Sequence, residues 1–90
     1  MLIISYDIKD DKLRNKFAKM LVKNGCMRLQ FSVYEFNNTK RMIDNIKENI
    51  KHYFFTRFTP YDSVVIFDVN VEKTIKYGNA IHRDEDILFF

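Results

Sequence analysis

The stretch Leu2-Ile3-Ile4-Ser5-Tyr6-Asp7 opens the chain with a short apolar, partly β-branched run that ends at a carboxylate. Such a run predicts a buried strand. A helix is predicted directly after it, because Asp10 or Asp11 can cap a first turn and Gly25 occupies the place of a helix-ending glycine. The predicted core face of this helix has helical spacing and consists of Leu13, Phe17, Met20 and Leu21.

A second extended region and a second helix follow. Residues 28–36 are rich in aromatic and β-branched side chains, which predicts either one bent strand or two short strands. Asn38 or Thr39 can then cap a helix. Its apolar positions are spaced i, i+3, i+7 and i+10, as on a core-facing helix: Ile43, Ile46, Ile50 and Tyr53.

Three further extended segments are predicted after Pro60. Residues 63–69 form the clearest strand pattern, residues 72–77 predict another strand that Gly78 ends, and residues 87–90 form a last short apolar strand. Alternation of strands with two amphipathic helices predicts an α+β sandwich of the ferredoxin-like type. We expect an antiparallel sheet, two helices on one face and an extra C-terminal strand.

Length and composition predict one globular domain, with a core over residues 1–78 and a C-terminal segment over 79–90. The chain has 90 residues, 47% of them hydrophobic, with only two Gly and one Pro, which excludes intrinsic disorder. The longest apolar runs are too short to span a membrane, and the N-terminal run reaches Asp7 too early for a signal peptide. A lone Cys26 excludes an internal disulfide and a Cys-based zinc site, so we expect a cytoplasmic protein.

The predicted sheet leaves one face without helices, and the chain ends in a hydrophobic segment that so small a domain has no obvious means of burying. An apolar sheet face together with a loose apolar strand predicts a homodimer, built face to face or by strand exchange. The predicted interface residues at the chain end are Ile87, Leu88, Phe89 and Phe90.

Charge is distributed unevenly along the chain. Residues 1–60 carry 12 Lys and Arg against 6 Asp and Glu, whereas residues 61–90 carry 3 against 6, for a net charge of +3 overall. On the first helix, four lysines fall within about 60° of one another. This lysine stripe consists of Lys12, Lys16, Lys19 and Lys23, and it is either a polyanion-binding surface or an ordinary solvated helix face.

Asp7 is the sharpest chemical feature, because a carboxylate at the end of a buried strand is neither core nor helix cap. It could hold a divalent cation such as Mg²⁺ or Mn²⁺. One carboxylate is too few ligands for Mg²⁺, but a two-fold dimer could bring a second Asp7 to the same ion. The alternative is a turn aspartate that accepts hydrogen bonds from its own backbone. Asp10 and Asp11 are better explained as helix caps.

Two motifs about 20 residues apart resemble the CRISPR-associated protein 2 family, the small partner of the integrase that captures new spacers. They are Tyr6-Asp7-Ile8-x-Asp10-Asp11-x-x-Arg14 and Gly25-x-x-Arg28-Leu29-Gln30-x-Ser32-Val33-Tyr34-Glu35. The resemblance extends along essentially the whole chain and implies a ferredoxin-like homodimer whose C-terminal strand packs against the other subunit. One departure is Tyr34, where many members have Phe, because a buried hydroxyl needs a partner.

Members of the family have been regarded as metal-dependent endonucleases that act on RNA or DNA phosphodiesters. The resemblance therefore implies one Mg²⁺ or Mn²⁺ ion shared by the two Asp7 of a dimer, with Tyr6 as the catalytic neighbour. The residues implied to shape the phosphate-binding surround are Arg14, Arg28, Ser32 and Tyr34.

Two functions of different classes follow. The first is an endonuclease or endoribonuclease of CRISPR adaptation that binds nucleic acid with the integrase subunit. The second is a non-catalytic homodimeric scaffold that binds prespacer duplex DNA and bridges integrase dimers, with the lysine stripe on the phosphates. Single-stranded RNA and duplex DNA both remain candidate substrates. A pure RNA-binding domain is disfavoured, because residues 30–34 lack the glycines of such a surface.

Overall fold

The computed structural model describes residues 1–78 and shows an α+β domain. Its regular elements, in chain order, are β1 (Leu2–Asp7), α1 (Asp11–Lys23), β2 (Met27–Gln30), β3 (Val33–Phe36), α2 (Lys40–Asn49) and β4 (Ser63–Asp68). Both predicted helices and the predicted first strand are present. No helix within these residues combines the length and apolar character that a membrane span requires.

The four strands form one sheet in the order β2-β3-β1-β4, and every neighbouring pair is antiparallel. Helix α1 connects β1 to β2 with β3 between them, and α2 connects β3 to β4 with β1 between them. This is the ferredoxin-like arrangement, so the predicted fold class is confirmed. Ile4 marks the register at the centre, since it is opposite Tyr34 on β3 and Ile66 on β4.

The extended region over residues 28–36 is two strands rather than one. Phe31 and Ser32 form the turn between β2 and β3. A register shift between Arg28 and Gln30 marks a β-bulge beside this turn. Bulges of this kind bend a strand and are frequent near functional sites.

Alternate residues of the central strands bury themselves under both helices. Leu2, Ile4 and Tyr6 of β1 face the helices, while the residues between them face the opposite side of the sheet. From α1, all four predicted core residues are buried, with Phe17 and Leu21 at 0% exposure. Two helices on one face therefore bury that face and leave the other, which we call the open face, without helical cover.

The two ends of α1 follow the predicted capping chemistry. The Asp10 carboxylate accepts a hydrogen bond from the Leu13 amide at 2.8 Å, so Asp10 is the N-cap. At the other end, Gly25 adopts a φ of +91°, a conformation in which a Cβ atom is strained. This reversal lets the Cys26 amide donate to the Leu21 carbonyl at 2.9 Å.

The second helix departs from the predicted core face at its C-terminal end. Thr39 is the N-cap, and α2 continues into a π-helical segment, Ile50–Phe54. A π turn contains about one residue more than an α turn. Phe54, which the predicted core face does not include, is therefore buried at 3% exposure, while Tyr53 packs against the core half-buried, as Ile43 and Ile50 do.

The predicted strand over residues 72–77 is wrong. A 3₁₀ turn, Val71–Lys73, follows β4, with the Asn70 side chain accepting a hydrogen bond from the Glu72 amide, and the chain then runs without regular pairing to Gly78. Alternation alone predicted a strand, but no described strand pairs with this segment. The predicted terminal strand (Ile87, Leu88, Phe89 and Phe90) lies outside the described residues.

Candidate functional site

One end of the sheet brings together the C-terminal end of β1, the β2–β3 turn and the start of β4. Asp7 ends β1 and is opposite Ser63, the first residue of β4. The Tyr6 amide donates to the Ser32 carbonyl of the turn at 3.1 Å. Thus Ser32, predicted from the sequence to border the site, lies beside the two residues predicted to be catalytic.

The Asp7 side chain is exposed and ion-paired within its own chain. The Lys9 Nζ atom lies 3.1 Å from each carboxylate oxygen. Within residues 1–78, no three His, Cys, Asp or Glu side chains form a group that could hold a metal ion. A single carboxylate fills only a small part of the octahedral shell of Mg²⁺, whose other positions go to water or to other oxygen ligands. A divalent cation at Asp7 would need ligands from elsewhere and would have to displace the Lys9 ammonium.

Asp62 anchors the loop that carries Lys9. Its carboxylate accepts hydrogen bonds from the Lys9 amide at 2.8 Å and from the Thr59 amide at 2.7 Å. These bonds stabilise the charged form and lower the pKa of the Asp62 carboxyl below its usual value. Asp62 thereby fixes the backbone around Asp7 and Lys9, although it takes no part in the ion pair.

Tyr6 lies on the other side of the sheet from Asp7, because successive strand residues point to opposite faces. Its ring is buried, with the Phe17 ring centroid 4.7 Å away and the Tyr34 ring stacked at 6.1 Å. The pKa of Tyr6 is raised to about 12, mainly because its hydroxyl is buried and secondly because of the neighbouring Tyr34 phenol. The smaller opposing effects come from the positive charges of Arg28 and Arg14.

The two arginines are held in different ways. Arg14 donates to the Ile8 carbonyl at 3.1 Å and forms an ion pair with Asp11, one turn earlier on α1. Arg28, on β2, lies over the exposed Phe31 ring with its guanidinium carbon 5.8 Å from the ring centroid. On the helix-facing side Tyr34 stacks on Tyr6, and Arg28 is opposite Tyr34 in the β2–β3 register, whereas Asp7 is on the open face.

The raised pKa of Tyr6 predicts how the stability of the fold changes at alkaline pH. Because its pKa is raised above the ordinary value of 10.0, folding favours the neutral phenol, and the associated stability is complete below pH 10 and lost as pH rises toward 12. Each pH unit in that window costs about 1.4 kcal/mol for one such group. We expect Tyr6→Phe to flatten the loss of stability between pH 10 and 12, as measured by urea unfolding.

Cys26 is the control for that measurement, since burial also raises the pKa of its thiol to about 12. The stability that the neutral thiol contributes is lost from about pH 9 toward 12, so Cys26→Ala flattens the curve from one pH unit lower than Tyr6→Phe does. An unchanged slope above pH 10 in Tyr6→Phe would show that the Tyr6 phenol ionises as freely in the folded chain as in the unfolded chain.

All four members of the lysine stripe are exposed along α1, on the helix layer and away from the open face. One of them, Lys16, reaches the Tyr53 hydroxyl at 3.5 Å across the gap between the two helices. None of the four pairs with a carboxylate within residues 1–78.

Comparison with known proteins places this geometry in a family. The model of the family described as "CRISPR associated protein Cas2" matches residues 1–76. The chain belongs to the Cas2 family. This family match spans all six regular elements and both ends of the strand that carries Asp7, so it confirms the resemblance that the two motifs indicated.

Two individual proteins are similar to this Cas2-family chain. "CRISPR-associated endoribonuclease Cas2 2" of Synechocystis sp. is 48% identical over 33 residues, which are 37% of this chain and 34% of that protein. The match thus spans about a third of the curated relative. The crystal structure of the hypothetical protein TT1823 from Thermus thermophilus superposes with a TM-score of 0.65 at 25% identity, covering 90% of this chain and 95% of that one.

Sequence reasoning missed several residues of this Cas2 site. Lys9 was not expected to pair with Asp7, although a lysine two residues after a strand-end carboxylate is a signal for such a pair. No motif of the sequence singles out Asp62. Its role depends on the fold bringing residues 59–62 next to residue 9, a contact that no local pattern encodes.

Proposed function

We propose that this Cas2-family chain is a nucleic-acid-binding protein of CRISPR adaptation that cuts RNA or DNA phosphodiesters as a metal-dependent homodimer. The observation that carries the proposal is the exposed Asp7 carboxylate at the end of the central strand, in a chain of this family. A similar protein bears the name endoribonuclease, which supports the same reaction class for this one. A cytosolic location belongs to the same proposal.

The open face of the sheet supports the homodimer. It presents apolar side chains from neighbouring strands, with Val65 and Phe67 of β4 about half exposed and Ile3 of β1 between exposed and buried. Contiguous exposed apolar surface of this kind marks an interaction site. A second copy of the chain, with its own open face, is a self-complementary partner for it.

In such a dimer, Asp7 is on the correct side of the sheet, since it points to the open face. Two copies would supply two carboxylates to one Mg²⁺ or Mn²⁺ ion, which one chain alone does not. A divalent cation held there polarises a phosphoryl oxygen and lowers the pKa of a bound water. Tyr6, from the helix-facing side, would act only through the backbone that it shares with Asp7, as a positioning residue.

Phosphate binding is assigned to the cationic groups around the strand end and on α1. We assign it to Arg14, Arg28, Ser32 and Tyr34, of which Ser32 accepts from the Tyr6 amide and Tyr34 stacks on the Tyr6 ring, and to the exposed lysine stripe on the helix layer. Contacts with phosphates position a nucleic acid without reading its sequence. The integrase subunit is the proposed partner of the acidic C-terminal third, whose charge is opposite to that of the rest of the chain.

A second candidate function is the non-catalytic scaffold for prespacer DNA. The Lys9–Asp7 ion pair favours it, because the ammonium already satisfies the carboxylate that a cation would need. Within residues 1–78 the Asp7 carboxylate also belongs to no group of three or more acidic, His or Cys side chains that could hold a metal ion. On this hypothesis the lysine stripe binds duplex DNA and no turnover occurs.

Cleavage of end-labelled RNA and of duplex DNA by the purified protein distinguishes the two functions. With Mg²⁺ or Mn²⁺ we expect cleavage products that are absent in EDTA, and electrophoretic mobility shifts are to be recorded on the same substrates. Binding without cleavage under every metal condition would overturn the catalytic proposal and leave the scaffold. Cleavage that persists in EDTA would contradict a metal-dependent reaction.

A further inference from the structure

A groove separates α1 from the π-helical extension of α2. It consists of two adjoining cavities of about 510 and 220 Å³ on the helix layer, and both are lined by Lys16 and Tyr53, whose side chains meet where the two cavities adjoin. The lysine stripe forms one wall. The opposite wall is formed by Asn49, Tyr53 and Arg57.

The opposite wall is held in place before any ligand arrives. The Arg57 guanidinium carbon lies 3.7 Å from the Tyr53 ring centroid, and Arg57 also donates to the Tyr53 carbonyl at 2.7 Å. Across the groove, Lys16 Nζ is 3.5 Å from the Tyr53 hydroxyl. These contacts depend on the π turn, because it places Phe54 in the core and leaves Tyr53 at the edge of the core.

The groove has a strong excess of positive charge. Five cationic side chains, the lysine stripe and Arg57, line it together with one carboxylate, that of Asp10. Asp10 is already engaged as the N-cap of α1, where it accepts the Leu13 amide. Within residues 1–78 no carboxylate neutralises the stripe, so an external polyanion is the ligand that this charge favours.

The spacing of the lysines fits a repeating anion. Successive members of the lysine stripe are three or four residues apart, which places them about 5.4 Å apart along the helix axis. Lys12 and Lys23 are then separated by about 16 Å along the helix axis, a length over which a nucleic-acid strand carries several phosphates. The amide of Asn49 adds a donor of the kind that contacts phosphate and sugar oxygens.

We infer that this groove binds the sugar–phosphate backbone of a single nucleic-acid strand, with Arg57 and Asn49 as ligands opposite the lysine stripe. The inference rests on the proposed function, since it takes nucleic acid as the ligand. It goes beyond that function because the ligand would contact two walls of a groove and not the lysine stripe alone. The groove lies on the helix layer, whereas Asp7 faces the open side, so binding in the groove is separable from chemistry at Asp7.

The test is fluorescence anisotropy with 12-nucleotide DNA, the same sequence as RNA, and the matching duplex, each at several salt concentrations. One variant, Lys16→Ala with Lys19→Ala, removes two charges from the stripe wall. A second, Asn49→Ala with Arg57→Ala, removes the donors of the other wall. The matched control, Lys47→Ala with Lys51→Ala, removes two exposed lysines that line a different cavity beside β4.

Single strands are expected to lose roughly 10- to 30-fold in affinity at 0.1 M salt when two stripe lysines are removed, with a salt slope shallower by about 1.4. The Asn49 and Arg57 variant is expected to weaken binding several-fold with a smaller change in slope, and the control is expected to bind as wild type. Equal losses on DNA and RNA indicate that the backbone is the feature recognised. Circular dichroism melting of each variant establishes that it is folded.

Each other outcome is decisive. If only the stripe variant lost affinity, the two-walled site would be wrong and the lysine stripe alone would bind the strand, while the proposed function would stand. Equal loss in the control would show diffuse charge attraction, and tighter binding of the duplex than of either single strand would overturn the single-strand assignment. Wild-type protein that binds none of the three probes would defeat the proposed function itself.

Discussion

Asp7→Ala is expected to lower metal-dependent cleavage at least about 100-fold while the protein stays folded. Loss of a residue that merely supports a metal ligand costs 10- to 100-fold in affinity or activity, so loss of the ligand itself should cost at least the upper figure. The fold tolerates the change, because Asp7 is exposed and its side chain contacts only Lys9 among the described hydrogen bonds and ion pairs. Exposed ion pairs contribute at most about 1 kcal/mol to stability.

Two companion variants sharpen that result. Asp68→Ala removes an exposed strand-end carboxylate from the opposite end of the sheet, where it pairs only loosely with the N-terminus at 3.8 Å. It should cleave as wild type does. Lys9→Ala removes the ammonium that occupies Asp7, so half-maximal cleavage should need less Mg²⁺. If Asp7→Ala cut as fast as Asp68→Ala, Asp7 would be a structural residue.

Phe17→Ala is expected to destabilise the fold by about 3–5 kcal/mol, as large-to-small changes at fully buried aromatic positions do. Phe17 is at 0% exposure between Tyr6 at 4.7 Å and Phe54 at 5.0 Å, the latter edge to face. Alanine would leave a cavity at the junction of both helices with the sheet. A small domain has a total stability of about 5–15 kcal/mol, so this one change removes a large share of it.

Urea unfolding of Phe17→Ala against Val22→Ala measures the effect. Val22 lies on the same helix with 59% of its surface exposed, and surface changes usually stay within about 0.5 kcal/mol. The midpoint should fall strongly for Phe17→Ala and hardly for Val22→Ala, with similar slopes for both. Similar midpoints would mean that the junction collapses around the smaller side chain and that Phe17 does not hold the two helices to the sheet.

The parts of the fold that were predictable from sequence are those that local chemistry determines. A β-branched apolar run, a capping aspartate and a glycine at a positive φ specified β1 and α1, and helical spacing identified the buried Leu13 and Phe17 correctly. In each case the cause acts within a few residues of the sequence, where propensity and periodicity are informative.

The parts that were missed depend on tertiary contacts. Phe54 is not among the predicted core residues, because ideal α-helical spacing selects Tyr53, whereas the π-helical segment also brings the next residue into the core. Residues 72–77 alternate like a strand, yet a strand also needs a partner strand, and sequence alternation does not supply one. The Asn49 and Arg57 wall of the groove was missed for the same reason.

At the candidate site, the sequence and the family resemblance indicated the residues around the end of β1. They did not indicate that these residues lie on two opposite faces of the sheet. Asp7 and Tyr6 are adjacent in sequence, and the alternation of a strand places them on opposite sides of the sheet. Tyr6 and Tyr34 therefore lie on the helix-facing side of the sheet, and Asp7 lies on the opposite side. On the proposed function, a cation at Asp7 would meet the second Asp7 across the open face.

Titration calorimetry of Mn²⁺ into the protein, with the molecular mass in solution determined on the same sample, tests the shared Asp7 site most directly. The account predicts a dimer that binds one ion per two chains at a site that Asp7→Ala removes and Asp68→Ala retains. Binding of one ion per chain, binding that survives Asp7→Ala, or a monomer that binds Mn²⁺ would contradict it.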